Sequence, residues 1–414
     1  MIQNNFIDTS PRESKKDYSN ISQQDYESVA GNSWPTFNEF ITQKNIPDFV
    51  YSELSELLVE SENSAPANFC VLPFYGYEFP LNTPCCLMTN NEPIEEVQRL
   101  MLQGERPSSC EKCWKLEDAG LESDRLLKNG MLDSWTDTSI DSLFNDCVEG
   151  NNKILSYKID TSNTCNAACV TCGPGSSSTW AKLFAKNKTS TKYKSWQITP
   201  EQTRDFVNYS SAKTISFRGG EPFLSKTNFY ILEQLIKNNN TDCFISFVTN
   251  GGSQLNDRQK EILKNFKNLN FCFSIDGVGG VFEYLRWPLS WDILLGNIAW
   301  AKENNIDVSV SYTISNINLI YLKDTIKWFN ENNIKYILNP VESPAVFTPS
   351  TLPLKMKSQL KDLLGDTVPS EWFDHTEEDD KNFELFKLEI KKQDLWKNIT
   401  INDMLPEFAH LAEI

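Results

Sequence analysis

The stretch ILSYKIDTSNTCNAACVTC spans residues 154–172 and indicates both a fold and a chemistry. Its first seven residues are β-forming and predict a short strand. The loop that follows carries Cys165, Cys169 and Cys172 at Cys-x-x-x-Cys-x-x-Cys spacing. Three thiolates spaced in this way can bind three irons of a 4Fe–4S cubane from one loop. The fourth iron then lacks a protein ligand and is open to the amine and carboxylate of a small molecule.

Spacing alone leaves two other interpretations of these cysteines. They can belong to a zinc site whose fourth ligand lies elsewhere, or they can be buried and inert. The chain has eleven cysteines but only two histidines, His375 and His410, both near the C-terminus. In a reducing compartment, clustered cysteines indicate metal or redox ligands more than disulfides. We therefore expect sulfur ligands to carry the chemistry.

Outward from this loop, the chain alternates β-forming runs with helical stretches. Helical stretches such as TNFYILEQLIKNN and WDILLGNIAWAKENN separate six short runs that are rich in β-forming residues: ILSYKID, TISFRGG, FISFVTNG, NFCFSIDG, VSVSYTIS and YILNPVES. Six β–α units in succession predict an α/β fold with a parallel sheet. In such folds the working residues follow the C-terminal ends of the strands.

Polar motifs do follow several of these runs. The second run ends in FRGGEP at 217–222, where two glycines allow close backbone approach to a ligand and the carboxylate can accept from an ammonium group. The fourth ends in FSIDG at 273–277, and Arg286 beyond it is a candidate fork for a carboxylate. Taken singly, the first motif can be explained as a turn without function, and the second can be explained as a helix cap.

In this order, on consecutive β–α units, these motifs resemble the radical S-adenosylmethionine (SAM) superfamily over about residues 151–345. The resemblance implies a partial (β/α)6, TIM-like barrel. It also implies reductive cleavage of SAM to a 5′-deoxyadenosyl radical that abstracts hydrogen from a substrate. Thr171 departs from the family, which usually has an aromatic residue before the third cysteine.

The resemblance further implies roles for individual residues. Cys165, Cys169 and Cys172 would ligate the catalytic 4Fe–4S cluster. The SAM contacts would be Gly219, Gly220 and Glu221 for the methionine amine, Arg286 for the carboxylate, Ser274 for the ribose, Thr249 and Asn250 near the adenosine or substrate, and Thr313 and Val341 in the adenosine pocket.

A second set of cysteines precedes the barrel and comprises Cys70, Cys85, Cys86, Cys110 and Cys113. Four ligand positions, one of them doubled, fit a single metal site closed by protein, and structural zinc is one occupant. The set also resembles the twitch module, a short relative of the SPASM domain, in a branch that places this module before the barrel. That resemblance implies an auxiliary 4Fe–4S cluster, with Cys85 favoured over Cys86 because it directly follows a proline.

These patterns predict a division of the chain into five parts. They are a polar lead-in with covering helices (1–64), a twitch-like iron–sulfur domain (65–130), a linker (131–150), the core barrel (151–345) and a C-terminal helical extension (346–414).

Charge and hydropathy narrow the expected partners. The formal net charge of −17, with no cluster of five basic residues, makes nucleic acid an unexpected partner. No apolar run approaches the roughly 20 residues that span a bilayer, and the N-terminus has no signal-peptide pattern, so we expect a cytoplasmic protein without a membrane partner.

Family analogy gives the expected reaction partners. It indicates a reductant such as flavodoxin or ferredoxin and a peptide or protein side chain as the substrate. A small molecule, sugar or nucleotide is the alternative substrate, and a non-catalytic iron–sulfur redox or scaffold protein is the alternative class.

Overall fold

The computed structural model describes residues 64–89, 92–136, 138–188 and 192–414. The chain divides into an N-terminal unit that ends at Ser156 and a C-terminal unit that begins at Tyr157. The lead-in and covering helices predicted over 1–64 lie outside the described residues, apart from Ser64. None of the described helices is long and apolar enough to cross a membrane.

The N-terminal unit is built mainly from short helices. Its elements are α1 (Leu72–Tyr75), β1 (Gly76–Phe79), α2 (Ile94–Leu102), α3 (Glu111–Asp118), α4 (Asp124–Thr136) and α5 (Ile140–Val148). Helix α2 ends just before Gly104, whose φ of 71° is in the left-handed region that glycine tolerates.

An aromatic core holds this unit together. The Phe69 ring lies 5.5 Å from Phe74 and 5.3 Å from Phe144, measured between ring centroids. Leu143 and Cys147, from the stretch 131–150, are buried in the same core. The stretch that we predicted as a linker therefore packs as part of the N-terminal unit.

The C-terminal unit is an α/β sheet structure, as the sequence predicts. Its strands are β2 (Ser156–Asp160), β3 (Thr214–Arg218), β4 (Phe244–Thr249), β5 (Leu269–Ser274), β6 (Asp307–Ile314) and β7 (Lys335–Pro340). They neighbour one another in chain order, and β3 to β7 pair in parallel. This open parallel order is the arrangement that a partial (β/α)6 barrel requires, and the predicted α/β class is confirmed.

Helices connect the strands and follow the last one. They are α6 (Ser178–Lys186), α7 (Lys226–Lys237), α8 (Asp257–Leu263), α9 (Gly280–Leu285), α10 (Trp291–Glu303) and α11 (Leu322–Glu331), then α12 (Leu354–Leu364), α13 (Glu377–Lys397), α14 (Ile401–Met404) and α15 (Pro406–Ala412). The last four form the helical part of the region 346–414.

The two faces of the sheet differ in chemistry because successive side chains of a strand point to opposite sides. One face is apolar and fully buried, and the Phe247 ring lies 4.9 Å from Phe217 and 6.2 Å from Phe229 of α7. The other face is half-buried and lined by short polar side chains. We call it the polar face, and it comprises Ser216, Ser246, Ser309, Ser311 and Thr313.

Candidate functional site

The cysteine loop lies between β2 and α6, and the first turn of α6 holds its backbone. The Cys165 N–H donates to Ser178 Oγ at 3.1 Å, and Thr179 Oγ1 donates to the Cys165 carbonyl at 2.7 Å. Ser177 caps α6 through the Trp180 N–H and donates to the Ala167 carbonyl at 2.6 Å. The local sequence SSTW therefore both starts the helix and fixes the loop.

The backbone at the C-terminal end of α9 forms hydrogen bonds with the other side of the same loop. The Ala168 N–H donates to the Trp287 carbonyl at 2.7 Å, and the Val170 N–H donates to the Leu285 carbonyl at 2.8 Å. The backbone between the first and third cysteines is thus bonded on both sides, which preorganises the thiol positions.

The Gly219–Gly220–Glu221 segment lies directly against the start of this loop. Gly219 has a φ of 98°, and a Cβ at Gly220 would lie 2.3 Å from the Thr164 carbonyl oxygen. The Glu221 N–H donates to that same oxygen at 2.7 Å. The two glycines are therefore required for close approach to the chain itself, one residue before Cys165.

The Glu221 carboxylate ties the ends of β3 and β4 together. One oxygen accepts from Thr249 Oγ1 at 2.7 Å and from the Phe223 N–H at 3.1 Å, and the other accepts from the Asn250 N–H at 2.8 Å. The side chain is buried, and this burial raises the pKa of Glu221 to about 6. Its predicted contact with the SAM amine stays a prediction, with one acceptor site still available on the second oxygen.

Asn250 connects Glu221 to the cysteines. Its Nδ2 lies 2.8 Å from Asn166 Oδ1 and 3.7 Å from Cys165 Sγ. The structure thus brings together Cys165, Glu221, Thr249 and Asn250, which the sequence places on three different strand ends.

Arg286 is engaged by an acid that the sequence analysis noted but gave no role. Its Nε and Nη2 lie 2.8 Å and 2.9 Å from the two oxygens of Asp276, and both side chains are buried. Burial disfavours the guanidinium charge, but Asp276 and the nearby Cys169 and Cys172 together outweigh burial and hold the pKa of Arg286 above its ordinary value. The remaining Nη1 lies 3.9 Å from Cys169 Sγ. A SAM carboxylate contact at Arg286 therefore stays a prediction limited to Nη1.

The three remaining predicted SAM contacts are more dispersed. The Thr313 N–H donates to Asp276 Oδ1 at 3.1 Å, so Thr313 adjoins the Arg286 pair. Val341 is buried, and its N–H donates to the Ile314 carbonyl at 2.9 Å. Among the described residues, no hydrogen bond links Ser274 or Val341 to the cysteine loop.

The C-terminal extension adds contacts that sequence analysis missed. Gln393 Nε2 of α13 donates to the Val170 carbonyl at 3.1 Å. Trp180 Nε1 donates to the Cys169 carbonyl at 2.9 Å, and Lys397 Nζ lies 4.7 Å from the centroid of the Trp180 ring. Gln393 is separated from the loop by 223 positions, so no local pattern could have indicated the contact.

Four of the five cysteines of the second set line one pocket in the N-terminal unit. They are Cys70, Cys85, Cys110 and Cys113. Of the adjacent pair, Cys86 is exposed, and its N–H donates to Glu78 Oε1 at 3.0 Å. Burial raises the pKa of Cys110 to about 11 and also raises that of Cys70. The cavity therefore collects one thiol from each of the four predicted ligand positions.

Glu117 and Arg125, which follow these cysteines in the sequence, form a largely buried scaffold for the pocket. Arg125 forms a two-pronged pair with Glu117, at 2.9 Å and 2.6 Å, and also donates to the Phe69 carbonyl at 2.8 Å. Its guanidinium lies 5.2 Å from the Trp114 ring. These contacts join α3 and α4 to the residue that precedes Cys70.

Within the described residues, no three His, Cys, Asp or Glu side chains have the geometry of a single metal-ion site. The ligands of a cubane bind separate irons, so its thiols need not converge on one point.

Residues 159–329 match the sequence model of the radical SAM superfamily. This match identifies residues 159–329 as a radical SAM domain. An uncharacterized protein of Methanocaldococcus jannaschii, MJ0907, is 25% identical over 188 residues, which cover 43% of this chain and 59% of the relative. The chain thus spans less than two thirds of the length of that curated relative.

Two solved structures are similar at low identity. The anSMEcpe structure with bound AdoMet has a TM-score of 0.36 and 19% identity, over 50% of this chain and 60% of that one. Streptococcus suis SuiB bound to S-adenosylmethionine has a TM-score of 0.38 and 11% identity, over 73% of this chain and 69% of that one. With TM-scores below 0.5, these two structures do not identify the fold. The identification of the domain depends on the match of residues 159–329 to the sequence model.

A radical SAM domain implies a 4Fe–4S cluster and SAM, and the donor set at the cysteine loop fits such a cluster. Burial raises the pKa of Cys165 to about 11 and that of Cys169 to about 12, so a bound metal must displace the protons. Hydrogen-bond donors already face the sulfurs, with the Ala167 N–H at 3.4 Å from Cys165 Sγ and Arg286 Nη1 near Cys169. These groups compensate the negative charge of thiolate ligands.

The Asp276–Arg286 pair gives a stability prediction. Asp276→Ala leaves a buried guanidinium without its counter-charge, so we expect the free energy of unfolding to fall by about 3–5 kcal/mol in urea denaturation. Glu261→Ala is the control, because its ion pair with Lys264 at 2.6 Å is exposed and worth at most about 1 kcal/mol. Equal losses for the two variants would contradict the structural role of the buried pair.

Proposed function

We propose that this chain is a radical SAM enzyme whose catalytic cluster is bound by Cys165, Cys169 and Cys172. The observation that carries the proposal is the 2.7 Å bond from the Glu221 N–H to the Thr164 carbonyl, beside the first cysteine. It joins the glycine-rich segment predicted to hold SAM to the loop predicted to hold the cluster. When bound, the cluster supplies the electron that cleaves SAM to methionine and a 5′-deoxyadenosyl radical, which abstracts hydrogen from the substrate.

The protein's own part is binding, orientation and charge compensation. The loop backbone, bonded on both sides, holds three thiolates ready to ligate. Arg286, neutralised on one side by Asp276, presents Nη1 toward Cys169 and toward an incoming carboxylate. Glu221 and Asn250 hold the ends of β3 and β4 against the cluster loop through hydrogen bonds.

We propose a peptide or protein side chain as the substrate. The polar face supports a hydrogen-bonding substrate, since Ser246 Oγ donates to Asn270 Oδ1 at 3.1 Å and Asn339 Nδ2 donates to Ser311 Oγ at 2.9 Å. This face continues to Thr313, next to the Asp276–Arg286 pair. A peptide offers an N–H and a carbonyl at every residue and so suits a wall of hydroxyl and amide groups.

The N-terminal cavity is proposed to hold an auxiliary 4Fe–4S cluster. The support is that Cys70, Cys85, Cys110 and Cys113 line a single cavity, with an ordered Glu117–Arg125 scaffold behind it. Four protein thiolates ligate all four irons and leave none open to SAM. This cluster would therefore transfer electrons or contact the bound substrate.

The proposed setting is the cytoplasm, with flavodoxin or ferredoxin as the reductant. The support is that eight of the eleven cysteines belong to the two candidate cluster sets, and a reducing compartment keeps such thiols available as ligands.

Release of 5′-deoxyadenosine tests the catalytic role of the cysteine loop. With dithionite and SAM, the wild type releases 5′-deoxyadenosine and Cys169→Ala releases none, because the cluster loses a ligand. Cys272→Ala is the matched control, a cysteine of the same unit on β5 that is not a predicted ligand, and it should retain activity. Release that survives Cys169→Ala would reject the assignment. The same assay with candidate peptides, followed by mass spectrometry, tests the substrate class.

The iron content of two variants distinguishes the adjacent thiols of Cys85 and Cys86. Anaerobically reconstituted wild type should bind about eight irons, two cubanes' worth. Cys85→Ala should bind about four, whereas Cys86→Ala should keep about eight, because only the former removes a thiol from the cavity. A wild type with about four irons and one zinc would reject the auxiliary cluster and leave the catalytic one intact.

A further inference from the structure

Lys397 is a buried cation at the C-terminal end of α13, in the same unit as the cysteine loop. Its exposed fraction is 4%, although lysine is almost never fully buried unless it is paired. Among the described residues Lys397 forms no ion pair, although the carboxylates of Asp394 and Glu389 act against the lowering of its pKa by burial. Its partners are neutral, namely Gln393 Oε1 at 2.8 Å and the Trp180 ring at 4.7 Å.

The two neutral partners both hold the cluster loop. Gln393 donates to the Val170 carbonyl, and Trp180 donates to the Cys169 carbonyl. Gln393 and Trp180 are each 2% exposed. One buried network therefore fixes consecutive loop residues and the ammonium together.

Lys397 lies close enough to Cys169 and Cys172 to interact with both electrostatically. The nearby Asp394 is already engaged by the Tyr284 hydroxyl at 2.9 Å and the Ile401 N–H at 2.7 Å. Burial lowers the pKa of Lys397 to about 8, while Cys169 and Asp394 oppose that effect, so the ammonium remains the main form at pH 7.

We propose that Lys397 is a positioning residue whose buried ammonium, held behind the loop by Gln393 and Trp180, stabilises the reduced catalytic cluster. The proposal rests on the proposed cluster at Cys165, Cys169 and Cys172. One-electron reduction adds a negative charge, and a fixed cation in a low-dielectric, poorly screened position favours that state. Net charge near a cluster is one of the factors that set its reduction potential.

The test is the midpoint potential of the reconstituted full chain, followed by electron paramagnetic resonance (EPR) during a redox titration. The signal to follow is the one that Cys169→Ala lacks. Lys397→Met should shift the midpoint potential to a more negative value, whereas Lys397→Arg, which keeps the charge, should shift it less. Lys391→Met is the matched control, since it removes the same charge from an exposed site on the same helix and should leave the potential unchanged.

Folding is separated from charge by a second neutral variant. Lys397→Gln can still hydrogen-bond to Gln393, so a negative shift in both neutral variants supports the proposal. Loss of iron in both neutral variants but not in Lys397→Arg also supports a role for the charge, whereas loss of iron in all three overturns it. An unchanged potential in Lys397→Met overturns it as well. A wild type that binds no cluster would instead reject the proposed function.

Discussion

The absence of a side chain at Gly220 is the constraint on which the site depends. A Cβ there would overlap the Thr164 carbonyl, so any larger residue would separate the end of β3 from the start of the cysteine loop. With glycine present, the Glu221 N–H reaches that carbonyl, and the carboxylate beyond it gathers the N–H of Asn250. Three strand ends thus meet beside Cys165 through one backbone hydrogen bond and one hydrogen bond to the Glu221 carboxylate.

Two buried cations near this junction, Arg286 and Lys397, differ in their partners. Arg286 is paired with Asp276, and the Thr313 N–H also donates to Asp276. Lys397, by contrast, donates to the neutral Gln393 and lies over the Trp180 ring, with no ion pair among the described residues. A site that must accept an electron benefits from this asymmetry, because a cation already neutralised by a carboxylate contributes less to the local potential than one that is not.

Local patterns predicted most of the fold, since strand runs, helix periodicity and chain order are properties of neighbouring residues. The meeting of Cys165, Glu221 and Asn250 was also predictable, because parallel strands place their C-terminal ends at one edge. The pairing of Arg286 with Asp276 was not, since either side chain alone could equally have faced a ligand. The α13 contacts with the cysteine loop could not be predicted, because residues hundreds of positions apart meet only in the folded chain.

A catalytic cluster held by three cysteines of one loop would have one iron open to SAM. The most direct measurement is the EPR spectrum of the dithionite-reduced, reconstituted protein recorded with and without SAM. We expect SAM to change the signal of the cluster that depends on Cys165, Cys169 and Cys172, because SAM would bind to its open iron. A spectrum of that cluster that is identical with and without saturating SAM would contradict the claim.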